Sequence, residues 1–108
     1  MRIGIYVRVS SEEQRKTGIS LRDQEKRGIE FCIRNGYEHE VFSDGGFSGT
    51  LGIEDRPELS RLIDKILLEP REIDGIFVVD IDRLTRDSQL GFVLNKLFYD
   101  NDIKIFSR

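Results

Sequence analysis

Three short segments of this 108-residue chain carry side chains suited to chemistry on a phosphate ester. In Tyr6-Val7-Arg8-Val9-Ser10, Arg8 and Ser10 stand two apart, and on an extended strand that spacing sends both to the same side. In Asp82-Arg83-Leu84-Thr85-Arg86 the two arginines are three apart, so they share a face if a helix begins there. Between these segments lies the glycine-rich stretch Asp44 to Gly52, with Arg56-Pro57 after it. Guanidiniums gathered round a hydroxyl suit a phosphate, because each offers a planar fork of donors to its oxygens. The hydroxyl would act as nucleophile and the cations would stabilise the charge that develops in the transition state.

Taken singly, each segment has a plainer reading. Ser10-Ser11-Glu12-Glu13 fits a helix capping box. Arg8 reads as an exposed strand end, Arg56 as part of a solvated helix start, and Asp82-Arg83 as a surface ion pair worth little. The glycine stretch reads as a flexible turn, Asp87 or Ser88 as a cap, Cys32 as a small core residue and His39 as an exposed strand residue. Only convergence in space would turn these pieces into a site.

The elements that would bring them together are visible in the pattern. Ile3 to Val9 reads as a strand, Tyr37 to Ser43 as a second, Ile76 to Val79 as a buried third and Ile103 to Phe106 as a fourth. A helix should start at the Ser20 cap and stop at Asn35-Gly36, with Leu21, Ile29, Cys32 and Ile33 inside. Pro57 suits the first position of another, whose stripe is Leu59, Leu62, Ile63, Ile66 and Leu67. A third helix carries Leu90, Val93, Leu94, Leu97 and Phe98. Strand alternating with helix implies an α/β fold with a mostly parallel central sheet flanked by helices and right-handed crossovers. Ligands of such sheets gather at the carboxyl ends of the strands, where Arg8-Val9-Ser10, Asp44 and Asp82-Arg83 all fall.

Composition narrows the function further. A chain of this length forms one domain. With 38% apolar and 34% charged residues it can pack a core, and its net charge of -3 argues against a broadly basic DNA-binding face. The single cysteine and single histidine exclude an internal disulfide and a His/Cys zinc site. No apolar run is long enough for a signal peptide or a membrane span, so a cytoplasmic protein is expected.

Five motifs in order carry a resemblance: Tyr6-Val7-Arg8-Val9-Ser10, Ser20-Leu21-Arg22-Asp23-Gln24, Asp44-Gly45-Gly46-Phe47-Ser48-Gly49, Arg56-Pro57-Glu58-Leu59 and Asp82-Arg83-Leu84-Thr85-Arg86-Asp87. Together they resemble the catalytic domain of the resolvase–invertase family of serine recombinases, over nearly the whole chain. The resemblance implies that Ser10 attacks a DNA phosphodiester and forms a 5′-phosphoserine bond. It implies that Arg8, Arg83 and Arg56 hold the phosphate and that Asp82 and Arg86 assist the leaving group. Gln24, Asp44, Ser48 and Gly49 would bind in or around the site. No metal or nucleotide cofactor is implied, and the partners would be specific double-stranded DNA sites and further copies of the protein, as dimer and tetramer.

Thr17 to Leu21 and the extended glycine loop resemble the large serine integrases and transposases more than the small resolvases. Residues 1–108 would then be a catalytic domain lacking the dimer helix and DNA-binding region that the family carries, and inactive by itself. One departure stands out: Asp80 occupies a place where many relatives carry a basic or polar residue, and it either adds negative charge near the site, which would weaken phosphate binding, or points away from it. Three rivals stay open: a non-catalytic recombinase-like assembly module, a receiver-like signalling domain, and a phosphatase built on the same cluster. The receiver reading needs acids where Arg8 and Ser10 stand.

Overall fold

The computed structural model describes residues 1–9, 19–46, 51–68 and 70–107. Its centre is β1 (Arg2–Val9), an Ile/Val-rich run in which every residue from Ile3 to Val9 is buried. Burial on both faces follows from its position between β2 (Glu38–Gly45) and β3 (Gly75–Val78). With β4 (Lys104–Ser107) the sheet order is β2-β1-β3-β4, and every pairing is parallel.

Three helices make the crossovers. α1 (Leu21–Asn35) starts where Ser20 Oγ accepts from Asp23 N at 3.1 Å. It ends at Gly36, whose φ of 72° is the left-handed conformation glycine adopts without a steric penalty. α2 (Pro57–Leu67) has Pro57 in its first turn, where the missing N–H forfeits nothing. α3 (Ser88–Asp100) is capped by Asp87, which accepts from Leu90 N at 3.0 Å. The expected α/β architecture with its parallel sheet is the one observed.

The sheet divides the interior into two cores. On one face Phe31 and Cys32 of α1 pack with Ile3, Ile5, Val7, Phe77 and Val79. On the other, α2 and α3 place Leu59, Leu62, Ile66, Leu94 and Phe98 against Tyr6, Phe42, Ile76 and Val78. Alternation along β1 and β2 therefore assigns Tyr6, Arg8, Phe42 and Asp44 to the α2–α3 side.

Several sequence expectations are corrected. Ile33, Leu67 and Val93 were expected inside but are 71%, 53% and 53% exposed. The inner face of α1 is instead Gln24, Gly28, Phe31 and Cys32; Ile33 lies about 100° further round the helix and faces water. β2 continues through Asp44 and Gly45, which were expected in the loop, because both stay in register with Arg8 and Val9. No helix runs through Arg83 and Arg86. A 3-10 turn covers Ile81–Arg83, the chain then bends, and α3 begins only after the Asp87 cap, so the two arginines do not share a face. No helix among the described residues is long and apolar enough to cross a membrane.

Candidate active site

The parallel register sets Arg8 beside Asp44 at the carboxyl end of the sheet. The turn that follows β3 brings Arg83 to the same edge. Arg56, at the N-terminal boundary of α2, reaches in from a third segment. Arg8 and Arg56 are fully buried and Arg83 is 8% exposed, an unusual state for guanidiniums, which are seldom buried without a function for their charge.

Main-chain carbonyls hold the three together. Arg8 donates from Nε to Arg83 O at 3.0 Å and from Nη2 to Asp82 O at 2.7 Å. Arg83 returns the bond from Nη1 to Arg8 O at 3.2 Å, and Arg56 Nη1 lies 3.4 Å from Arg83 O. Among the described residues Arg56 Nε and Nη2 are buried with no hydrogen-bond partner. Such donors represent unused capacity to bind an anion. Burial draws the Arg56 guanidinium below its ordinary pKa, and the positive charge of Arg8 acts in the same direction. An arginine so placed still keeps its proton.

Asp44 is the buried carboxylate of the cluster. Its Oδ1 accepts from Glu58 N at 2.9 Å, and its Oδ2 accepts from Leu59 N at 2.9 Å and from the Tyr6 hydroxyl at 2.7 Å. These oxygens cap α2 and so fix the helix start that carries Arg56. The Tyr6 phenol is pushed above its usual range, chiefly by burial and then by its bond to the Asp44 carboxylate. It stays protonated as a donor. Tyr6 was not singled out from the sequence, although its two-residue spacing from Arg8 carried the signal.

Gln24 is also fully buried, and it clamps the end of β1 from the opposite face. It accepts from Arg8 N at 3.3 Å and donates to Arg8 O at 3.1 Å and to Ile19 O at 3.0 Å. Asp82 and Arg86 are exposed; Asp82 meets the cluster only through its carbonyl. Ser10, Ser48 and Gly49 lie outside the described residues. Among the described residues no group of three His, Cys, Asp or Glu side chains could hold a metal ion.

Residues 3–108 match the family described as "Resolvase, N terminal domain". The chain belongs to that family. As a resolvase-family domain it superposes on the N-terminal catalytic domain of TP901-1 integrase with a TM-score of 0.83 and 30% identity, covering 99% of this chain and 77% of that one. The C-terminal catalytic domain of ISC1926 TnpA, an IS607-like serine recombinase, matches with a TM-score of 0.78 and 30% identity, covering 99% of this chain and 69% of the other. A Bacillus subtilis (strain 168) protein named "Putative DNA recombinase" is 36% identical over 104 residues, 94% of this chain. This chain spans only 18% of the length of that relative.

Proposed function

We propose that this domain cleaves and rejoins DNA by covalent catalysis, with Ser10 as the nucleophile. The observation that supports it most is the convergence of Arg8, Arg56 and Arg83, drawn from three separate segments, at the end of the strand that leads into Ser10. A phosphodiester repels nucleophiles, and three guanidiniums held at low dielectric oppose that repulsion. Ser10 Oγ would attack phosphorus in line, the bond to the 3′ oxygen would break, and the serine proton would end on the released 3′ hydroxyl. The 5′-phosphoserine bond keeps the ester, so the 3′ hydroxyl of an exchanged strand can reverse the step without a nucleotide.

In this reading Arg8, Arg56 and Arg83 hold the non-bridging oxygens, Asp82 and Arg86 serve the leaving group, and Gln24 fixes the strand end. Asp44 acts through Tyr6 and the start of α2. Ser48 and Gly49 border the same phosphate. Because Arg8 and Arg56 are fully buried, phosphate reaches them by displacing what now covers them and by replacing carbonyl acceptors. The domain would work within a larger integrase-type or transposase-type recombinase, as a dimer and then a tetramer on paired double-stranded DNA sites.

The test is adduct trapping with the complete recombinase on a nicked substrate that cannot religate. The wild type should give a protein–DNA adduct and Ser10→Ala none. An adduct persisting in Ser10→Ala would overturn the assignment.

A further inference from the structure

Asp80 sits between β3 and the Ile81–Arg83 turn in extended conformation (φ −155°, ψ 161°). Its Oδ2 lies 3.6 Å from Arg83 Nε, an ion-pair separation longer than a hydrogen bond. Its Oδ1 is buried and accepts no hydrogen bond from any described residue. A carboxylate oxygen left so is normally destabilising.

Charge accounts for this arrangement. Arg8, Arg56 and Arg83 are buried together, and Asp44 is the one buried carboxylate among the described residues. Low dielectric makes the buried charge of Arg83 costly unless an anion lies near it. Asp80, half-exposed at the rim, offsets part of that cost while no phosphate is present. A phosphate seeks the same guanidinium, so the two anions compete.

We propose that Asp80 is a resident counter-ion of Arg83, one that an incoming phosphate must displace, and that it thereby holds down the anion affinity of the site. The proposal rests on the reading of this cluster as the phosphate site. It gives Asp80 a role as a positioning and tuning residue that acts through Arg83.

The experiment is an NMR titration of the 108-residue chain with inorganic sulfate, which needs neither DNA nor Ser10 chemistry. Asp80→Asn should lower the sulfate Kd about three- to tenfold, as expected for removing one unit charge roughly 4 Å from an anion where water screens the pair as in bulk. Asp80→Glu, which keeps the charge, should stay close to the wild type. In an Arg83→Gln background the Asp80→Asn gain should vanish, since the two residues act as one unit. If Arg83→Gln does not fold, the contrast between Asn and Glu at position 80 still decides.

An unchanged or raised Kd in Asp80→Asn overturns the proposal. So does a gain that survives loss of Arg83, or a wild-type chain that binds no sulfate. Failure of the recombinase reading shows separately, as absence of a DNA adduct from the wild-type recombinase while the sulfate result stands by itself.

Discussion

Replacing Asp44 with asparagine keeps shape and removes charge, and its consequence can be worked from the contacts. The carboxylate accepts three hydrogen bonds, two from the first turn of α2 and one from Tyr6. An asparagine oxygen placed at Oδ2 preserves the bonds from Leu59 and Tyr6, but its NH2 then points at the Glu58 N–H, donor against donor. Turning the amide round is no better, because the NH2 then opposes the Leu59 N–H even though the Tyr6 hydroxyl can rotate to accept from it. One lost charge-assisted bond in a buried setting corresponds to about 1.5–3 kcal/mol. Arg56 also loses the favourable negative charge of Asp44 nearby. We therefore expect a loss of about 2–4 kcal/mol, a large share of the roughly 5–15 kcal/mol that holds a domain folded. Tyr6→Phe removes a single bond and leaves Oδ2 satisfied by Leu59, so about 1–2 kcal/mol is expected. Urea unfolding at fixed pH, followed by far-UV circular dichroism, measures both. A loss under about 1 kcal/mol for Asp44→Asn, or one smaller than that of Tyr6→Phe, would refute the view that this carboxylate organises the cluster.

Two further perturbations probe how the site is held. Gly28→Ala should destabilise by about 1–3 kcal/mol, because its Cβ would lie 2.4 Å from Ile5 Cγ2 in the α1–β1 contact; urea midpoints check this, and a gain in stability from alanine's better helix propensity would contradict it. Glu40 is held below the usual carboxylate range chiefly by Arg61, whose Nη1 is 2.6 Å away, with Lys65 adding to the effect. Its contribution is therefore complete above the ordinary carboxylate pKa of about 4.3 and is lost as pH falls through its lower folded value. The pair is partly solvated, so the effect is about 1 kcal/mol or less. The stability gap between wild type and Glu40→Gln should be full above about pH 4.3 and narrow progressively as pH falls below it, and a gap independent of pH would count against the assignment.

Much of the frame was legible in the residues. Strand 1, the Ser20 cap, the Gly36 stop and the Pro57 start are decided within a few residues by local sterics and hydrogen bonding, and all appear where expected. Errors arose where local pattern could not choose a face. Ile33, Leu67 and Val93 extend apolar stripes that are wider than the surface available to cover them, so the outermost member is left in water. The condition for Arg83 and Arg86 to share a face, a helix beginning at Arg83, is not met, because the helix starts after the Asp87 cap that the sequence also offered.

The site itself divides in the same way. Residue types and motif order, both linear properties, marked Arg8, Arg56 and Arg83 as candidates and named the family. Charged side chains read locally as solvent-facing, and nothing in the sequence said that these three lie beneath the surface. That was decided by the parallel register of β1 and β2, which sets Arg8 beside Asp44, and by the turn after β3, which lends two carbonyls to the Arg8 guanidinium. Tertiary structure also made Asp44 the cap of α2 and Asp80 the neighbour of Arg83. Burial and pairing of charge depend on what arrives from elsewhere in the chain, and no window of neighbouring residues contains that.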